Sequence, residues 1–225
     1  MLHPTPRKLL TLFALTLCSS IGAGPAIAAG TAKPASSSSQ GTIVAFGDSL
    51  TAGYGVAESD SYPAQLQRKL HQAGHQWTVI NAGISGETSS GALARVDWVM
   101  KLKPDIVILE TGANDGLRGQ DPELTRKNLV SIIAKLESRN VIVVLAGMRM
   151  LKNLGPAYTS KFAEVYRRVA KEHKTILIPF FLDKVAGKEG LNLSDGVHPT
   201  GKGYAIITEN IYPYVIKAIS QKTRR

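Results

Sequence analysis

Thiols are almost missing from this chain: Cys18 is the one cysteine among 225 residues. A disulfide framework, a cysteine nucleophile and zinc-thiolate sites are excluded once Cys18 leaves with the N-terminal segment described below. Past that segment the sequence has no apolar run long enough to span a bilayer, no repeat of fixed period and no clustered set of metal ligands. An integral membrane protein, a solenoid and a metal hydrolase therefore lose their usual signatures. Runs of one charge are lacking too. The formal net charge is +10, yet Lys and Arg are scattered, with Arg167, Arg168, Lys171 and Lys174 forming one short helical cluster and Lys222, Arg224 and Arg225 a basic end. That distribution reads as a solvated helix face and a frayed terminus, with weak association to anionic membrane surfaces and no nucleic-acid partner.

What is present is ordinary globular composition: 44% hydrophobic and 20% charged residues, with Gly 21 and Pro 11. A chain of this length buries about 70% of the surface its unfolded form exposes, so its core needs no metal or disulfide staple. Nothing in the composition calls for a cofactor, and nothing sets an oligomeric state.

The N-terminus indicates the compartment. Arg7 and Lys8 precede an apolar stretch from Leu9 to Leu17, which Gly22, Gly24 and Pro25 interrupt, and Ala26-Ile27-Ala28 gives the small-x-small pattern of a cleavage site. Residues 1–28 read as a secretory signal cleaved near Ala28, which places the protein in the periplasm or outside the cell. Ser19, Ser20 and the same breakers argue against an uncleaved anchor, and bulky Leu17 before Cys18 argues against lipid attachment. Residues 29–41, with serines from Ser36 to Ser39, read as a flexible leader, 42–219 as one domain and 220–225 as a basic tail.

Within the domain, apolar runs of strand length recur at Ile43–Phe46, Thr78–Ile80, Ile106–Leu109, Val141–Leu145 and Ile176–Ile178, each followed by a helical pattern. The runs are continuous rather than alternating, as in strands covered on both faces. Asp121-Pro122-Glu123 supplies an N-cap acceptor, a first-turn proline and an early acid before Leu129, Ile132, Ile133 and Leu136, which share one helical face. Pro63 precedes Leu66 and Leu70 in the same way, and apolar faces follow in Leu93–Leu102, Phe162–Val169 and Tyr204–Val215. Five βα units imply a parallel sheet with helices on both sides.

In such sheets ligands bind outside the carboxyl ends of the strands. The polar residues there are Gly47-Asp48-Ser49, Asn81-Ala82-Gly83 and Gly112-Ala113-Asn114-Asp115, joined by Asp195-Gly196-Val197-His198 before the last helix. Ser49 stands at a strand-to-helix turn that can project its hydroxyl. His3 lies in the signal and His71, His75 and His173 lie on or near the ends of surface helices, which leaves His198 as the base, oriented by Asp195. Gly83 can lend a backbone N–H unobstructed by a side chain, and Asn114 can lend its amide; with the Ser49 N–H they make a three-donor oxyanion hole. Taken singly, Gly83 and Asn114 are turn residues and Asp195 a helix cap.

Phe46-Gly47-Asp48-Ser49-Leu50-Thr51-Ala52-Gly53-Tyr54-Gly55, Asn81-Ala82-Gly83-Ile84-Ser85-Gly86, Gly112-Ala113-Asn114-Asp115-Gly116 and Asp195-Gly196-Val197-His198-Pro199 resemble, in order, the blocks of the SGNH hydrolases, also called GDSL lipases and esterases. The similarity runs from about Thr42 to Tyr214. Gly116-Leu117-Arg118-Gly119 and Ile178-Pro179-Phe180-Phe181 bring it nearest to the bacterial periplasmic branch of thioesterase I/lysophospholipase L1 and arylesterases. The resemblance implies a three-layer α/β/α fold on a five-stranded, mostly parallel, flavodoxin-like sheet. It also implies Ser49 as nucleophile, His198 and Asp195 as base and orienter, and Ser49, Gly83 and Asn114 as oxyanion donors. No metal and no cofactor are implied; the partner is a small-molecule ester or lipid substrate. Asp48 more often shapes the turn in this family than does chemistry. One departure is Ala113, where thioesterase I members usually carry a second glycine.

Other readings lose ground on the same residues. Gly196-Val197-His198-Pro199-Thr200-Gly201-Lys202 spells a phosphate loop, but Gly203 replaces the Ser or Thr that would hold magnesium and Pro199 removes an N–H. Gly53-Tyr54-Gly55 begins a dinucleotide fingerprint that Glu58 breaks, and the Gly-x-Ser-x-Gly elbow of other serine hydrolases is absent. A carbohydrate acetylesterase of the same superfamily and a non-catalytic basic binding module stand as alternatives. Met148, Met150, Leu151 and Leu154 suggest an apolar acyl surface or packing at the core's edge.

Overall fold

The computed structural model describes residues 39–224. The expected signal, its cleavage site and most of the leader lie outside the described residues. Five strands form one sheet: β1 (Gly41–Gly47), β2 (Trp77–Gly83), β3 (Ile106–Glu110), β4 (Ile142–Ala146) and β5 (Ile176–Ile178). Their order is β2-β1-β3-β4-β5 and every pairing is parallel.

The core strands form where the apolar runs predict them. Ile43, Val44, Ala45 and Phe46 of β1 and all of β3 are buried, because both faces of the sheet are covered by helices. Each such aliphatic side chain contributes about 1.5–3 kcal/mol by leaving water. β2 differs. It is the edge strand, and Thr78 and Asn81 are exposed along it, so only Trp77 and Ala82 are fully buried there.

The helices are α1 (Ser49–Ala52), α2 (Tyr62–Gln72), α3 (Ser89–Lys101), α4 (Ala113–Leu117), α5 (Pro122–Glu137), α6 (Pro156–His173) and α7 (Gly201–Thr223). α3, α5 and α6 pack side by side, and α2 packs with α7. The start of α5 follows its sequence signal: Asp121 accepts from the Glu123 amide at 3.0 Å, Pro122 opens the helix, and Leu129, Ile132, Ile133 and Leu136 are buried. Among the described residues no helix is long and apolar enough to cross a membrane.

Regular structure reaches past both ends of the 42–219 span. β1 begins at Gly41, which pairs with Trp77, while Gln40 donates to the Gln76 carbonyl at 2.6 Å. At the other end α7 continues to Thr223, so the residues read as a basic tail extend a helix. Val215, Ala218 and Ile219 keep its face buried, and Lys222 Nζ pairs with Asp105 Oδ1 at 2.9 Å. The basic cluster on α6 behaves as a solvated face, with exposed Arg167 paired to Glu164 at 3.1 Å.

The topology positions the site. From β1 the chain moves outward to β2, then returns across β1 to β3, and this reversal opens a crevice at the carboxyl ends of β1 and β3. Register places Gly47 beside both Gly83 and Glu110. A Cβ on Gly47 would lie 2.2 Å from Thr51 Oγ1, 2.3 Å from the Glu110 carbonyl oxygen and 2.6 Å from Glu110 Oε2. Gly47→Ala is therefore expected to destabilise the fold by about 1–3 kcal/mol or more, as overpacking does. Urea unfolding measures it, and an unchanged midpoint would contradict this packing.

Candidate active site

The position of Ser49, the expected nucleophile, is set by the chain around it. β1 stops at Gly47, and Asp48 leaves the extended conformation so that its Oδ1 accepts from the Leu50 amide at 3.0 Å. This N-cap starts α1 at Ser49, whose own amide, as the first of a helix, has no intrahelical acceptor. Gly53 closes the turn in the left-handed conformation with φ 81°. Ser49 ends up 8% exposed at the mouth of the crevice.

His198, the expected base, arrives from the loop before α7. Asn192 and Pro199 form an antiparallel bridge, and Leu193 donates to the His198 carbonyl at 2.7 Å, which folds the intervening residues into a tight turn. Asp195 Oδ1 accepts from the Val197 amide at 2.8 Å and the His198 amide at 3.0 Å. Its Oδ2 lies 2.7 Å from His198 Nδ1, and His198 Nε2 lies 2.9 Å from Ser49 Oγ. The two backbone donors, then the imidazole, hold the Asp195 carboxyl down at about 2. An ionised Asp195 accepts from Nδ1–H and leaves Nε2 as the acceptor for the serine proton. The ring of Tyr54 lies 4.6 Å from the imidazole, tilted by 43°.

Asn114 comes from α4, across the crevice. Its Nδ2 donates to Asp48 Oδ2 at 3.2 Å and to the Glu87 carbonyl at 3.0 Å, so both hydrogens are engaged. The Gly83 amide is engaged as well, donating to Asn81 Oδ1 at 3.0 Å. The reason Gly83 lacks a side chain also differs from the expectation. A Cβ there would meet the backbone of α1, 2.2 Å from the Ala52 nitrogen, so the glycine admits α1 against β2. Met148 is buried in the core rather than lining an acyl surface, and Met150 fills the space beside Gly116.

Four residues to which sequence reading gave no role shape this site. Glu110 ends β3 fully buried, where its Oε2 accepts from Thr51 Oγ1 at 2.8 Å and from the Asp48 amide at 3.3 Å. Burial, then the neighbouring Asp48 charge, pushes its carboxyl well above the usual range. Burial likewise raises Asp48 to about 6, against the bonds it accepts from Leu50 and Asn114. Asp115, also buried, accepts from the Ser89 amide at 2.7 Å and from the Ser89 hydroxyl, tying α4 to the start of α3. Arg95 and Glu87 form an ion pair at 2.6 Å behind Asn114. The available signal was Glu110 itself, an acid directly continuing an apolar strand. Among the described residues no group of three His, Cys, Asp or Glu side chains is placed to hold a metal ion.

Comparison with known proteins gives consistent matches. Residues 45–206 match the GDSL-like Lipase/Acylhydrolase family. The chain is 40% identical to the Esterase TesA of Pseudomonas aeruginosa over 173 residues, covering 76% of this chain and 86% of the relative. It is 36% identical over 169 residues to the Thioesterase 1/protease 1/lysophospholipase L1 of Escherichia coli, covering 75% and 80%. The crystal structure of the psychrotrophic esterase EstA from Pseudoalteromonas sp., inhibited by monoethylphosphonate, superposes with a TM-score of 0.76 at 33% identity, covering 80% of this chain and 99% of that one.

The raised carboxyl of Glu110 has a measurable sign. Folding strengthens its hold on a proton, so its contribution to stability is complete below the unfolded carboxylate range and is lost as pH rises toward the folded value. Glu110→Gln, neutral at every pH, lacks this loss. Its urea midpoint relative to wild type is expected to be higher at pH 8 than at pH 5; a difference that stays constant or falls would contradict a protonated Glu110.

Proposed function

We propose that Ser49 is the nucleophile, His198 the general base and Asp195 its orienting carboxylate in this chain, which belongs to the GDSL-like lipase/acylhydrolase family and is a serine ester hydrolase. The observation that carries the assignment is the unbroken relay from Asp195 Oδ2 through the imidazole to Ser49 Oγ, at 2.7 Å and 2.9 Å.

His198 Nε2 takes the Ser49 proton as Oγ attacks the carbonyl carbon. The imidazolium formed is stabilised by ionised Asp195. Negative charge develops on the former carbonyl oxygen, which accepts from the Ser49 and Gly83 amides and from Asn114 Nδ2. Gly83 gives up Asn81 Oδ1 and Asn114 gives up Asp48 Oδ2 to do so. His198 then protonates the leaving alcohol or thiol, and water, activated by the same base, releases the acid from the acyl-serine.

The substrate side is apolar. Tyr54, Ile84 and Leu117 follow the nucleophile turn, Gly83 and Asn114 in sequence, and all three are exposed. Exposed apolar side chains on the loops that carry the site favour an apolar acyl or aryl group. Together with the names of the relatives, this supports aryl esters, short- to medium-chain esters and thioesters, and lysophospholipids as the substrate range. The N-terminal pattern supports export followed by cleavage near Ala28.

The mature protein is expected to hydrolyse p-nitrophenyl esters in a series from acetyl to palmitoyl. Ser49→Ala abolishes turnover while circular dichroism stays native, and Asn114→Ala lowers kcat on the order of a hundredfold. A wild-type rate in Ser49→Ala would overturn the nucleophile assignment.

A further inference from the structure

Behind the crevice, one guanidinium contacts the two strand ends that lead into Ser49 and Gly83 and the residue whose carbonyl accepts from Asn114. Arg95 Nη2 donates to the Gly47 carbonyl at 3.2 Å and to the Ala82 carbonyl at 2.8 Å, the residues that precede Asp48-Ser49 and Gly83. Its Nε and Nη2 grip both oxygens of Glu87, at 2.6 Å and 2.7 Å. The guanidinium lies 4.6 Å from the centre of the Phe46 ring. Both side chains are largely buried, Arg95 15% and Glu87 7% exposed. Gly91, one turn into α3, leaves room for them: a Cβ there would lie 2.8 Å from Glu87 Cγ.

The desolvation of two buried charges offsets much of their attraction, so a pair like this is weak evidence for stability. What a bidentate guanidinium supplies is geometry. The strand ends are the fixed reference and Glu87 is the part being held. The Glu87 backbone carbonyl in turn accepts one hydrogen of Asn114 Nδ2 at 3.0 Å, while the other goes to Asp48 Oδ2 at a longer 3.2 Å.

We propose that Arg95 is a positioning residue for hydrolysis: braced on the carbonyls that end β1 and β2, it fixes Glu87 so that the Glu87 carbonyl retains one Asn114 hydrogen while the other passes from Asp48 to the oxyanion. The proposal rests on Asn114 being an oxyanion donor. Arg95 touches neither substrate nor reacting atoms; it sets the direction of a group that does.

Arg95→Lys keeps the charge but removes the paired Nε and Nη2 bonds that hold both Glu87 oxygens in one plane. Its kcat for a p-nitrophenyl ester is expected to fall on the order of tenfold with KM little changed, less than the loss of the donor itself. Affinity for a trifluoromethyl ketone, whose hemiketal oxygen occupies the oxyanion position, is expected to fall by the same factor. The pH dependence of kcat/KM, which reports His198, stays in place. In an Asn114→Ala background, Arg95→Lys is expected to cost less than about twofold, because the group it acts through is gone. The double variant Arg95→Met/Glu87→Gln removes both charges together, guards against a misfolded single variant, and should show the same kcat and ketone losses.

Wild-type kcat and ketone affinity in folded Arg95 variants would overturn the proposal, as would an undiminished Arg95→Lys loss in the Asn114→Ala background. If Asn114→Ala alone kept the wild-type kcat, the donor assignment would fail first and the Arg95 proposal with it. A slow Asn114→Ala beside unaffected Arg95 variants would sink the Arg95 proposal alone.

Discussion

The end of β1 is packed so tightly that the backbone at Gly47 has neighbours on every side where a side chain would go. Thr51 of α1 and both backbone and side-chain oxygens of Glu110 occupy that space, and the Gly47 carbonyl receives the Ile84 amide at 2.9 Å and Arg95 at 3.2 Å. Gly83 plays the matching part on β2, where only a bare backbone lets α1 approach. These two absent side chains draw a single helical turn down into the crevice between β1 and β3. Ser49, the first residue of that turn, is held there with only 8% of its surface open to solvent.

The same residue type serves opposite purposes within this small volume. Asp195 lies in an open turn with two amides aimed at it, and hydrogen bonding keeps it ionised as the imidazole's partner. Asp48 and Glu110 also accept hydrogen bonds, but they are fully buried under α1, and burial outweighs those bonds and raises both carboxyls. Separation of carboxyl groups by environment lets one fold carry a charged orienter and a neutral structural acid at one pH. Asp48 has a further part: it caps α1 through Leu50 and holds the Asn114 amide in the resting enzyme. The turn-shaping role expected of it is present, and the contact with Asn114 is added to it.

Legibility in the sequence followed the range of the interactions. Central strands were readable because burial on both faces leaves continuous apolar runs, and the start of α5 because cap, proline and apolar face lie within a few turns of one another. The placement of Ser49, Asp195 and His198 together was readable because Ser49 opens the helix after a strand end and the other two stand in the loop before α7, where topology gathers side chains. Strand β2 was read over Thr78–Ile80 but runs Trp77–Gly83, since the exposed polar Asn81 interrupts the apolar run. The last turns of α7 were hidden by Lys222 and Arg224, although Val215, Ala218 and Ile219 continue the helical spacing. The roles of Arg95 and Glu110 depend on partners 48 and 59 positions away, and an acid ending an apolar strand marks Glu110 as unusual without naming those partners. A residue of this kind becomes visible only when the strands are in register.

Mapping a fluorophosphonate adduct on the mature protein by peptide mass spectrometry tests most directly whether the relay activates Ser49. The account predicts one adduct per chain, on Ser49, with labelling slowed by orders of magnitude in His198→Gln. A folded protein that takes no label, or takes it on another residue, would contradict it.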